Sequence, residues 1–111
     1  MESEEIYDHP ILRLIGPDEE VQARARAGET EIVVTDRRLA VGSPDRLMLD
    51  IELDGLRRIQ FDIERDRPAT LVVVPEHASH EPQVLAVHPD DYPSVATALV
   101  YIGRHLARSV G

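Results

Sequence analysis

Apolar side chains recur at every second position along much of this chain, in short runs separated by turn residues. In EEVQARARAG, Val21, Ala23, Ala25 and Ala27 alternate with Gln22, Arg24 and Arg26, which predicts a half-buried strand ended by Gly28. Ile32-Val33-Val34 and Leu39-Ala40-Val41 flank the charged tetrapeptide Thr35-Asp36-Arg37-Arg38. Two β-branched-rich runs so close together predict a hairpin. Gly42-Ser43-Pro44-Asp45 is a turn signal, because glycine and proline supply backbone angles that strands cannot adopt. Beyond it Leu47, Leu49, Ile51 and Leu53 share one face, opposite Met48, Asp50 and Glu52. After the turn pair Asp54-Gly55, Ile59, Phe61 and Ile63 point one way and Arg58, Gln60, Asp62 and Glu64 the other, another one-sided strand.

Ala69 to Val74 reads as a strand stopped by Pro75, EHASHEP as its loop, and QVLAVHP as a seventh strand again stopped by proline,. From Asp90 the period changes: Tyr92, Val95, Leu99, Ile102 and Leu106 are helically spaced, with Ala98 widening the stripe,. Asp90 or Asp91 is placed to cap this helix, Pro93 falls in its first turn, and Arg104, His105 and Arg108 suit its C-terminal end,. The expectation is a mainly β domain with one C-terminal helix. Its seven strands form a bent barrel or sandwich, and the helix buries its stripe by capping an open end.

Residues 1 to 20 carry a net charge of −6, with the apolar stretch Ile11-Leu12-Arg13-Leu14-Ile15 inside that acid. This predicts an N-terminal extension, residues 1–16, packed on a single domain of residues 17–111. A chain of 111 residues leaves no room for a second domain,.

Composition narrows the function. A net charge of −9 and only four aromatic residues (Phe61, Tyr7, Tyr92 and Tyr101) argue against nucleic acid and anionic membrane as partners. Cysteine is absent, which removes disulfides, thiolate nucleophiles and Cys-ligated metals. No run approaches the roughly 20 apolar residues of a membrane span, and the acidic N-terminus is unlike a secretory signal; a cytoplasmic location is expected.

GPDEEVQARARAG, the hairpin IVVTDRRLAV, the strand pair LDIELDGLRRIQF and the closing helix PDDYPSVATALVYIGRHL, in that order, resemble the bacterial and archaeal pleckstrin-homology-like (PH-like) domain family over about residues 17 to 108. The resemblance implies a PH-like barrel that binds a protein partner or assembles with copies of itself. Lipid-binding members of the superfold carry a basic first hairpin loop. RAGETEI here sets Glu29 and Glu31 beside Arg26, so phosphoinositide binding is not expected.

Arg37 and Arg38 are the candidate interaction residues, since paired guanidinium groups bind phosphate or carboxylate in a forked geometry. Turn chemistry is the stronger account of the whole tetrapeptide, because Thr35 and Asp36 bond to their own backbone and neighbouring arginines alternate faces. Glu76, His77, His80 and Glu81 form an E-H-x-x-H-E cluster in a loop, with His88 and Asp90 one strand later. That makes His77, His80 and His88 the candidate ligands of an alternative small-molecule or metal-binding function. The cluster lacks the spacing and helix of the zinc-protease motif, and solvated loop residues explain it, so no metal and no cofactor is expected. No serine lies in G-x-S-x-G,. The overall expectation is a non-enzymatic interaction or self-assembly module.

Overall fold

The computed structural model describes residue 15 and residues 18–110, with side chains as far as residue 106. Seven strands appear where the periodicity places them: β1 (Val21–Ala27), β2 (Thr30–Thr35), β3 (Arg38–Gly42), β4 (Leu47–Glu52), β5 (Leu56–Asp62), β6 (Ala69–Pro75) and β7 (Gln83–Val87), followed by the helix α1 (Tyr92–Val110). They form two antiparallel meanders, β1-β2-β3-β4 and β5-β6-β7. A 3-10 turn over Leu53–Gly55 carries the chain from one sheet to the other. Among the described residues the two ladders do not join, so the closed-barrel form of the expectation gives way to two separate sheets. Alternation alone cannot decide whether edge strands hydrogen-bond or merely approach.

One core lies between the sheets. Ile32, Val34, Leu39, Val41, Leu49 and Ile51 come from the first, Leu56, Leu71, Val73, Leu85 and Val87 from the second, and Val95, Ala98 and Ile102 from α1. The helix lies chiefly against β1, whose inward positions are Ala23, Ala25 and Ala27, all buried. Three small side chains in a row let the helix approach the sheet closely, and the larger residues of β2 and β3 fill the depth behind them.

β2 and β3 are buried on both faces, which is why their apolar runs are continuous rather than alternating. On the outer face Val33 and Ala40 form a small second cluster with Ile15 packed on it. The rest of the expected N-terminal extension, residues 1–14 and 16, lies outside the described residues.

Two local expectations change. Leu47 is placed by its period on the inward face of β4 but is exposed, since it is the strand's first residue and precedes the core. The start of α1 is capped by neither Asp90 nor Asp91. His88 precedes a 3-10 turn over Pro89–Asp91, and its Nδ1 accepts the Asp90 amide at 3.2 Å. The ring of Tyr92, the first residue of α1, meets Phe61 of β5 edge-on at 5.4 Å between centroids; such contacts add about 0.5–1.5 kcal/mol beyond area burial.

Candidate functional site

The tetrapeptide Thr35-Asp36-Arg37-Arg38 is a hairpin tip held on three sides. The Thr35 hydroxyl accepts the amides of Arg37 and Arg38, each at 3.0 Å, and donates to Glu19 Oε2 at 2.9 Å. The Arg37 carbonyl accepts the Leu53 amide at 2.9 Å, and the Asp36 amide reaches the Glu20 carbonyl at 3.1 Å. No described non-glycine residue has a positive φ, so the tip is not a type I′ turn; the threonine hydroxyl closes it instead. The two arginines part company. Arg38 donates through Nε (2.9 Å) and Nη2 (2.8 Å) to Glu19 and pairs with Asp50 at 3.2 Å. Arg37 is 61% exposed, with Asp36 at 3.9 Å. They do not form a paired anion site, because Arg38 is committed to two carboxylates of its own chain.

The histidine candidates also separate. His77 and His80 sit in the β6–β7 loop and line a shallow hollow with Asp50, Glu52, Asp54 and Gly55. His88 lies at the other end of β7, with Asp90 against its Nδ1. No group of three or more His, Cys, Asp or Glu among the described residues is arranged to hold a metal ion. The remaining histidine beyond the N-terminal segment, His105 on α1, contacts Asp54 at 3.1 Å.

His88 opens instead onto a groove of about 580 Å³ beside Gly28, the loop Glu64–Pro68, Ala86, Val87 and Tyr92. Arg67 pairs with Glu64 at 3.7 Å across this loop. Two serines have structural duties: Ser94 donates to the Asp91 carbonyl and Ser43 to the Arg46 carbonyl.

A different surface emerges on the outer face of the three-stranded sheet. The register sets Gln60 of β5 beside Val72 of β6 and Val84 of β7, with Arg58 beside Val74 on one flank and Asp62, Thr70 and Ala86 in a row on the other. The alternate residues Leu71, Val73, Leu85 and Val87 are core, so these positions point outward. Val84 is 68% exposed, Ala86 is exposed, and Val72 and Val74 are half-buried. The face thus presents valines to solvent between the arginines Arg57 and Arg58 on one flank and Asp62 on the other. Sequence reasoning passed over it because β6 and β7 are apolar at both odd and even positions. That same lack of polar outward residues was the available signal.

No described helix is long and apolar enough to cross a membrane. No family model, curated protein or solved structure matches this chain.

Proposed function

We propose that this chain is a non-enzymatic, PH-like interaction module of the cytoplasm that works by self-association through the outer face of the β5-β6-β7 sheet. The order of elements, a four-stranded and a three-stranded antiparallel meander followed by one helix, supports the PH-like reading. The observation that carries the self-association is Val84, 68% exposed beside Val72, on a face whose charged residues, Arg57, Arg58 and Asp62, carry no net negative charge. Copies of a chain with net charge −9 repel one another,, so close approach is favoured where the surface is apolar and not acidic.

Absolute mass by light scattering behind gel filtration, over a wide concentration range and at low and molar salt, tests this. A concentration-dependent oligomer that Val84→Glu abolishes without changing the circular dichroism spectrum is the expected result. A monomer at every concentration and salt overturns it.

A second reading, a small-molecule site, rests on the groove beside His88, whose volume of about 580 Å³ falls within the range of ligand pockets. A metabolite present at 100 times its dissociation constant stabilises the fold by about 2.7 kcal/mol. A thermal-shift screen in which nothing raises the melting temperature removes this reading.

A further inference from the structure

We infer that the partner on this face is a second copy of the chain, related by a two-fold axis that crosses the strands along the row Gln60–Val72–Val84. The inference rests on the self-association proposed above and adds its geometry. On β5 the outward residues are Arg57 and Arg58, which share the bulge opposite Val74, then Gln60 and Asp62, so the basic pair and the acid sit to either side of Gln60. Two sheets packed face to face with an axis across their strands reverse strand direction and keep strand order. Arg58 then faces Asp62 of the second copy, Asp62 faces its Arg58, and Val72 and Val84 face their own counterparts. The other in-plane axis, along the strands, lays β5 over β7 of the second copy. That would seat Gln60 on Val84, Asp62 on Ala86 and Arg58 over the residue before β7, leaving the desolvated charges without partners. Charge complementarity therefore selects the first arrangement, an isologous contact in which every pairing occurs twice.

The side chains are available for it. Among the described residues Arg58, beside Arg57, makes no hydrogen bond or ion pair, and Asp62 is held only by the exposed amide of Gln60, at 2.9 and 3.1 Å. Packed sheets lie about 10 Å apart, a gap that an arginine and an aspartate on facing sheets span together. A three-stranded sheet with strands of seven, seven and five residues projects about 300 Å² at ordinary strand spacings. A standard interface takes about 800 Å² from each partner, so the dimer is expected to be weak and to depend on concentration.

Charge exchange tests the geometry. Wild type, Arg58→Asp, Asp62→Arg and the double exchange are compared by sedimentation equilibrium, with melting curves confirming that all four are folded. Each single change sets like charges together twice per dimer and is expected to weaken association about tenfold or more; the double exchange is expected to restore it. Cross-linking adds a second reading, made clean by the absence of native cysteine. Val84→Cys is expected to be joined into a dimer by a short bis-maleimide that spans the gap between the sheets, and Arg58→Cys, which lies away from the axis, is not. A wild-type dimer that the double exchange fails to rescue, or that cross-links through position 58 rather than 84, overturns this geometry while leaving self-association standing. A wild type that stays monomeric overturns both.

Discussion

Arg38 grips Glu19 through two of its nitrogens, at 2.9 and 2.8 Å, and so ties the tip of the β2–β3 hairpin to the segment that leads into β1. The Glu19 side chain is only 4% exposed, and the Thr35 hydroxyl donates to the same carboxylate. Asp50 of β4 receives the third nitrogen of Arg38. The arginine thus joins three parts of the four-stranded sheet that are far apart in sequence, a role that turn propensity alone does not suggest.

Arg38→Ala is expected to destabilise the fold by about 3 kcal/mol, since it leaves the Glu19 carboxylate buried without its guanidinium. Adding Glu19→Gln should recover part of that loss. Arg37→Ala, at an exposed position, should change stability by no more than about 0.5 kcal/mol. Urea unfolding of the four proteins measures all three differences, and equal effects at 37 and 38 would contradict the assignment.

The close approach of α1 to β1 depends on the alanines of β1. Ala25→Leu is expected to cost about 1–3 kcal/mol by forcing the helix outward, whereas Ile102→Ala, which empties a fully buried position facing the same core, should cost about 2–5 kcal/mol. A neutral Ala25→Leu in thermal or urea melts would show that the helix does not pack tightly there.

Gly28 and Gly103 should respond to alanine with opposite signs. Gly28 has φ +66, and an added Cβ meets no atom within 4 Å, so Gly28→Ala carries the left-handed backbone penalty alone, about 1–2 kcal/mol. Gly103 lies in α1 with equally open space around it, and Gly103→Ala should stabilise by about 0.5–1 kcal/mol through helix propensity. Melting temperatures of the two variants decide it.

Since β7 separates His88 from His77 and His80, zinc or nickel should leave the melting curve of untagged protein unchanged, as should a chelator. A metal-dependent rise in melting temperature that His77→Ala or His80→Ala abolishes would restore the metal-binding alternative.

Element type and approximate position were legible from the chain alone, because period two, period 3.6 and turn chemistry are local properties. Val21 to Ala27 reads as a strand, Thr35 to Arg38 as a tip and Tyr92 to Leu106 as a helical stripe without knowledge of any neighbour. The candidate site residues fared differently. Arg37 and Arg38 look equivalent in sequence, yet one is exposed and the other is spent on Glu19 and Asp50. That distinction depends on a carboxylate nineteen positions away.

What the sequence determined by itself was the alternation that makes each strand amphipathic, the row of alanines that admits a helix, and the hydroxyl that closes the hairpin. Tertiary structure alone decided that the strands split into two ladders, that His88 falls apart from the other histidines, and that Val72 and Val84 face solvent. Where both faces of a strand are apolar, as in β6 and β7, periodicity cannot say which one is buried. That choice is made by the register of the neighbouring strands and by what packs against the sheet.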